Sequence, residues 1–356
     1  MKVGTDFSGI GAPEMALKYL GIDFESMFAC EIDKYARQSF KQLHNPKTLY
    51  NDITKRNHKE VEQLDLYVAG FPCQAFSMAG KRKGFDEARG TFFFNVAEFI
   101  KINQPKVFIL ENVKGLLSHD KGNTFQTIID ILSNGGGTQN GQISLDVFVD
   151  GLGYHIYWQV LNTKNYGIPQ NRERIFIVGF KEFREFSFPK VMSLELRLGD
   201  MLQDNPNSKY YLSDKAIEGL MKREKFNKFN PLTKESESAA CVTARADKVS
   251  NDNNFIITHY LGGRKGNPKK GGTGHLSKND GTTYCLDTSN TQAIEIKKKI
   301  RRLTPLECWR LQGFKDEDFF SVKDVSDTQL YKQAGNSITV NVLMELFKNI
   351  YGNYNK

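Results

Sequence analysis

Gly70-Phe71-Pro72-Cys73-Gln74 sets a cysteine just past the apolar run Leu66 to Ala69, and the cationic, glycine-punctuated stretch Ala79-Gly80-Lys81-Arg82-Lys83-Gly84-Phe85 follows it. A single cysteine is usually a small buried hydrophobe. Here Pro72 fixes the backbone ahead of the thiol, and the strand end exposes it. Neighbouring cations would raise its thiolate fraction above the few per cent expected near a pKa of about 8.5. The result is a nucleophile placed where it can meet a polyanion. Glu111, in Leu110-Glu111-Asn112-Val113, reads either as an acid for proton transfer or as the cap of a following helix. Strand alternation in Gln170-Asn171-Arg172-Glu173-Arg174 puts Arg172 and Arg174 on one face, where two guanidiniums can order a site or make surface ion pairs through Glu173.

A second constellation suits a nucleotide. Phe7-Ser8-Gly9-Ile10-Gly11-Ala12-Pro13-Glu14 follows the first apolar strand and opens a helix, so its glycines permit a tight turn whose amides face a ligand. Glu31 ends the next strand, about twenty residues on, where a nucleotide-binding sheet holds a ribose diol. Asp52, in Asn51-Asp52-Ile53-Thr54, stands one unit further along, where it suits an adenine amino group or caps the helix that follows.

Such residues need a scaffold. Short apolar runs at Lys2 to Thr5, Ser26 to Cys30, Leu64 to Ala69, Lys106 to Leu110, Tyr154 to Leu161 and Arg174 to Phe180 alternate with helical stretches. That alternation predicts a parallel, doubly wound α/β sheet with helices on both faces. Asn134 to Gly141 reads as an inserted surface loop. From about Pro189 the texture turns to Asn, Lys, Ser and Gly, with strand-like runs at Asn254 to Leu261 and Thr283 to Leu286 and a glycine-rich loop from Gly262 to Gly272. This predicts a second, smaller, mainly β and loop domain over 189–329, with 1–188 and 330–356 forming the larger one. Val340, Leu343, Met344, Phe347 and Ile350 keep helical spacing within Thr339 to Tyr351 and predict a core helix.

Bulk composition narrows the function classes. A chain of 356 residues, 39% hydrophobic and 25% charged, is ordinary globular protein, which sets aside disordered and collagen-like readings. The five cysteines form no C-x-x-C pair, so neither a disulfide framework nor a metal site is expected, and a reducing, cytoplasmic setting fits. No apolar run is long enough for a membrane span, and Met1 to Asp6 runs straight into a strand rather than a signal peptide. Formal net charge is +8, and Lys222 to His275 alone holds eleven Lys or Arg against five Asp or Glu. A phosphate backbone matches such a surface, as does plain solvated lysine.

Taken together, Pro72-Cys73-Gln74, Glu111-Asn112-Val113, the arginine pair and Gln333-Ala334-Gly335-Asn336-Ser337-Ile338 resemble the motifs of the cytosine-C5 DNA methyltransferases of bacteria and phages. The resemblance covers the amino-terminal half and resumes near the carboxyl terminus; only 190 to 296 lies outside it. It implies a mostly parallel, Rossmann-like catalytic domain that takes S-adenosyl-L-methionine through Phe7, Gly9, Ile10, Gly11, Glu31, Ile32, Asp52, Ile53, Pro72, Asn336 and Ser337. Cys73 would add to carbon 6 of a cytosine flipped out of duplex DNA, Glu111 would serve nitrogen 3, and Arg174, supported by Arg172, would hold the base. Arg301 to Phe314 resembles a motif that organises the small domain.

The loop from Phe76 to Phe92, with Lys81, Arg82, Lys83 and Arg89, would be a lid over double-stranded DNA. Lys265, Lys269 and Lys270 would meet phosphates, and 190 to 296 would choose the sequence. A monomer is expected, with room for a cognate restriction endonuclease acting separately. One departure is plain: the family's motif acid stands two residues before the phenylalanine, whereas here Thr5 is there and Asp6 adjoins Phe7. Among rivals, a tRNA cytosine methyltransferase would have a second proline where this chain has Phe71. An NAD-dependent oxidoreductase leaves Cys73 and Glu111 without roles. A regulator that has lost catalysis would not need them intact.

Overall fold

In the computed structural model, which describes residues 1–72, 92–133, 151–213, 257–260, 276–278, 292–296 and 299–352, the apolar runs of the amino-terminal half become one seven-stranded sheet. Its strands are β1 (Lys2–Asp6), β2 (Glu25–Cys30), β3 (Thr48–Tyr50), β4 (Leu66–Ala69), β5 (Val107–Val113), β6 (His155–Asn162) and β7 (Glu173–Phe180). The helices between them are α1 (Ala12–Tyr19), α2 (Lys34–Leu43), α3 (Phe92–Asn103) and α4 (Asn123–Leu132). Strand order is β3-β2-β1-β4-β5-β7-β6. The order reverses between β1 and β4, which opens a crevice beyond their carboxyl ends, the place where α/β sheets take ligands.

The five strands from β3 to β5 pair in parallel, as the alternation predicts. The expectation of a parallel sheet fails at β7, which runs antiparallel to β5 with Val113 opposite Arg174 and Glu111 opposite Phe176. The reversal follows from chain order: β6 forms first, at the outer edge, and β7 then returns between it and β5. The sequence reading also passes over β3, three half-exposed residues too short to show a pattern.

The sheet is covered well enough that β4 is buried at every position and β5 at all but its last. α3 contributes Phe93, Phe94, Val96, Ala97, Phe99 and Ile100 to the core, and the Phe99 ring lies 4.7 Å from Tyr67 and 5.4 Å from Phe28. Burying each of the Phe, Val and Ile side chains contributes about 1.5–3 kcal/mol.

The chain divides into two compact units, Met1–Leu161 with Glu173–Pro189 and Leu346–Lys356, and Asn162–Arg172 with Lys190–Glu345. The first holds the large sheet. The second contains a four-stranded antiparallel sheet in the order β11-β10-β8-β9, built from β8 (Ile257–Tyr260), β9 (Leu276–Lys278), β10 (Gln292–Ile296) and β11 (Lys299–Arg302). β8 realises part of the run Asn254 to Leu261, whereas 134–141, 262–272 and 283–286 lie outside the described residues.

In the same unit, α5 (Pro305–Arg310) starts with a capping box between Thr304 and Glu307 and has Pro305 in its first turn. Glu307 also accepts from both terminal nitrogens of buried Arg301 at 2.7 and 2.8 Å, and fully buried Trp309 donates to the Leu330 carbonyl. Arg301 to Phe314 is therefore structural. α6 (Asp316–Ser321) and α7 (Asp327–Asn336) follow in this unit. α8 (Val340–Tyr351), assigned to the first unit from Leu346 on, buries Val340, Leu343, Phe347 and Ile350 at the predicted spacing, whereas Met344 is only half-buried. Among the described residues no helix is long and apolar enough to cross a membrane.

Candidate active site

Beyond β1 the chain turns sharply through left-handed backbone at Phe7 (φ 54°), Gly9 (φ 54°) and Gly11 (φ 79°) before α1 begins. Glycine is needed at Gly11 twice over, since a Cβ there would sit 2.3 Å from the His44 ring. At Gly9 none of the described residues lies within 4 Å of where a Cβ would be, so among them the backbone is open on that side to an incoming ligand. Ser8 ties the turn to the end of β2, its amide and hydroxyl both donating to the Cys30 carbonyl at 3.1 and 2.9 Å.

Glu31 accepts from the Gly9 amide at 2.9 Å through one oxygen and from the Asp33 amide at 2.8 Å through the other. The acid thus braces the turn, and the Gly9 amide expected to face a ligand is already engaged. Arg37 donates to the carbonyls of Glu31 and Ile32 and holds this corner out, leaving Ile32 73% exposed. Ile53 is buried, and Asp52 caps the 3-10 turn over Ile53–Lys55 by accepting from the Thr54 amide and hydroxyl. These bonds hold its carboxyl below the usual range. Phe7 meets Phe92 edge to face at 5.6 Å.

The displaced motif acid points inward. Asp6 accepts both terminal nitrogens of Arg56 at 2.6 and 2.7 Å and the Tyr67 hydroxyl at 2.6 Å, all of them buried. Thr5, in the acid's usual place, donates instead to Glu14 Oε1 at 2.8 Å. Glu14 is wholly buried, its Oε2 has no hydrogen-bond partner among the described residues, and desolvation raises its pKa to about 7. Burial and the nearby Asp6 carboxylate push the Cys30 thiol up, so this cysteine is inert packing.

At the carboxyl edge of β4 and β5, the register pairs Ala69 with Leu110, which carries Gly70 to Pro72 past Glu111 and Asn112. Buried Asn112 donates to the Phe71 carbonyl at 3.0 Å and so fixes the backbone two residues before Cys73; Pro72 is exposed. From the sequence alone Asn112 has no assigned role. The signal was there: an amide between a carboxylate and a strand end is suited to bonding exposed main chain.

Glu111 lies inside β5 rather than at its end, and the 3-10 turn that follows takes no side-chain cap from it. Its Oε1 is 3.1 Å from Arg174 Nε, an ion pair too oblique for a hydrogen bond, with 11% and 17% of the two side chains exposed. Glu173 pairs outward with Lys114 at 2.9 Å.

Arg172 precedes β7, so the strand-face argument does not reach it. Its guanidinium is buried and donates to the carbonyls of Gly335 and Ser337, within the second unit, and shapes the turn that carries Asn336 and Ser337. Asn336 is exposed there, and the Ser337 hydroxyl donates to the Ile338 carbonyl. Cys73, the residues Lys81, Arg82, Lys83 and Arg89 expected to form a lid, and Lys265, Lys269 and Lys270 lie outside the described residues.

Comparison with known proteins returns one consistent family. The family profile described as C-5 cytosine-specific DNA methylase matches residues 1–352. The chain is 32% identical to the orphan methyltransferase M.SPRI of Bacillus phage SPR, across 99% of this chain and 98% of that protein. It is 33% identical to the type II methyltransferase M.Bsp6I of Bacillus sp. (strain RFL6), again across 99% and 98%. Among solved structures, the Dnmt2 methyltransferase of S. pombe superposes with a TM-score of 0.68 over the whole of both chains at 19% identity, a likeness of fold.

Proposed function

The chain belongs to the C-5 cytosine-specific DNA methylase family and is a DNA cytosine methyltransferase, and from that premise we propose that it transfers the methyl group of S-adenosyl-L-methionine to carbon 5 of a flipped cytosine through a covalent Cys73 adduct. The observation that carries this reading is the carboxyl edge of β4 and β5, where Asn112 fixes the main chain leading to Cys73 beside the Glu111–Arg174 pair. Carbon 5 is a poor nucleophile until something adds at carbon 6. The Cys73 thiolate supplies that electron pair, Glu111 holds a proton at nitrogen 3, and Arg174 steadies both the carboxylate and the base. Loss of the carbon 5 proton after methyl transfer then lets the thiolate leave.

The residues present fit the methyl donor. Gly9 leaves its flank open among the described residues, Glu31 is held by the Gly9 and Asp33 amides at the end of the second strand, where a nucleotide-binding sheet meets a ribose diol, and Ile32 offers an exposed apolar surface to an adenine ring. When bound there, S-adenosyl-L-methionine supplies an activated methyl group. Reaching the target atom requires flipping the cytosine at a cost of a few kcal/mol, which cationic contacts to the backbone offset.

The division of labour we infer assigns chemistry to 1–188 and 330–356 and target choice to 189–329, acting on double-stranded DNA as a monomer in the cytoplasm. The relatives' names include both type II and orphan methyltransferases, and both a partner endonuclease and its absence accord with that range. Transfer of tritium from labelled cofactor to duplex DNA, compared with tRNA, tests the function. Label in tRNA alone would overturn it.

A further inference from the structure

We propose that Arg56 is a positioning residue for the cofactor site: by gripping Asp6 it docks the Asp52–Ile53 segment onto the end of β1 and holds Phe7 in its left-handed conformation. The inference rests on the nucleotide-site reading above and adds a residue outside its motifs.

The pair is fully enclosed, with neither side chain exposed, and the guanidinium makes a two-pronged contact at 2.6 and 2.7 Å. Its plane is packed among aromatics, with Cζ 4.3 Å from the Phe28 ring centre and 4.5 Å from that of Phe99. Tyr67 donates to the same carboxylate, and the His58 ring lies 3.4 Å from Arg56 Nε. A buried ion pair is weak grounds for stability, because well-packed apolar residues usually do as well. What it orders explains it better.

Two segments assigned to the cofactor meet at this pair. Asp6 immediately precedes Phe7, whose φ of 54° is strained for a side-chain-bearing residue and persists only where the surroundings enforce it. Arg56 ends the short turn that carries Asp52 and Ile53. That turn and the next are capped locally by Asp52 and Asn57, so their local shape does not need Arg56. Docking against β1 does. Only a guanidinium offers a planar fork that fills both carboxylate oxygens while stacking between rings.

The test uses the double variant D6N/R56M, which removes both charges and leaves no ion stranded in the core, alongside R56K, which keeps the charge and loses the fork. Thermal midpoint, calorimetric binding of S-adenosylhomocysteine and steady-state methylation are measured on each. The double variant should melt close to wild type, bind about tenfold more weakly, show a similar rise in cofactor KM, and keep kcat at saturating cofactor within about threefold. R56K should fall in between.

Wild-type cofactor affinity in either folded variant overturns the proposal, and so does a fall in kcat with cofactor affinity unchanged. If the double variant does not fold, R56K decides by the same readings. A wild-type protein that binds no S-adenosylhomocysteine would instead overturn the nucleotide-site reading beneath it, a result distinct from wild type and variants binding alike.

Discussion

Arg174 reaches Glu111 diagonally across two strands that run in opposite directions, with Nε 3.1 Å from Oε1 while their direct partners are Val113 and Phe176. Were β7 parallel, its first residues would lie at the amino edge of the sheet, far from this carboxylate. Antiparallel pairing turns them to the carboxyl edge, and residues two apart on facing strands share a face.

Glu111→Gln should lower kcat by about 10²–10⁴, the usual contribution of a positioned acid, with cofactor binding little changed, because the amide cannot supply the proton for nitrogen 3. Single-turnover methylation read beside calorimetry checks this. Equal losses in rate and in cofactor affinity would place Glu111 in the wrong role.

Cys73→Ser should abolish methyl transfer while leaving DNA and cofactor binding largely intact, since a hydroxyl is far less ionised than a thiol at neutral pH. Duplex DNA carrying 5-fluorocytosine at the target should form a covalent complex with wild type and none with the variant. A gel-stable complex of the serine protein would count against the adduct.

Glu31→Ala should weaken cofactor binding by about 10–100-fold, the loss expected when a charged acceptor is removed. The main cause is the missing ribose contact, and the unbraced Gly9 and Asp33 amides add to it. Unchanged calorimetric affinity would remove the nucleotide-site assignment.

Glu14 makes a stability prediction with a definite sign. Desolvation lifts its pKa to about 7 in the folded state, so the native protein holds a proton that the unfolded chain releases above the ordinary Glu range. Stability from this group is full below the unfolded pKa and drains away as pH rises through about 7. Glu14→Gln should therefore gain on wild type between acid and neutral pH, by an amount on the order of 3 kcal/mol once wild type is fully ionised. Thermal midpoints measured from about pH 4 to about pH 8, which brackets the unfolded and folded pKa values, read it directly. A constant difference between the two proteins would show that Glu14 does not titrate there.

Replacing two of Lys265, Lys269 and Lys270 with alanine should weaken binding to all sequences alike and reduce the salt slope by about one phosphate per lost contact. Exchanging the segment between Pro189 and Lys297 for that of another family member should change which cytosine is methylated. An active chimera that kept the original site would move recognition elsewhere.

The sequence was most legible where chemistry and period coincide. Long apolar runs such as Ile175 to Phe180 announce strands because both faces are covered, and the glycines at Gly9 and Gly11 announce a tight turn, which the chain makes with left-handed backbone at both and at Phe7. Strand direction was not legible, since an apolar run reads the same whichever way it is laid, and so β7 came out reversed. Asp6 and Thr5 looked like a displaced motif acid. What could not be read was that the carboxylate had gained a partner fifty positions away in Arg56. Non-local pairing leaves no mark on spacing. For the same reason Asn112 passed as a bystander although it holds the Phe71 carbonyl.

The placement of β7 between β5 and β6 also dictates the order in which a ribosome can deliver this protein. β5 is complete at Val113, but the strand that covers its outer edge begins only at Glu173, sixty residues later. At 5–20 residues per second that interval is about 3–12 s. Throughout it the nascent chain carries an apolar, unpaired strand edge next to Glu111, a ready template for pairing with another chain. β6 emerges in the meantime and has nothing to pair with until β7 arrives. Yield in a fast-translating host should therefore hinge on whether that edge is shielded during those seconds, and slowing synthesis by cooling should recover soluble protein.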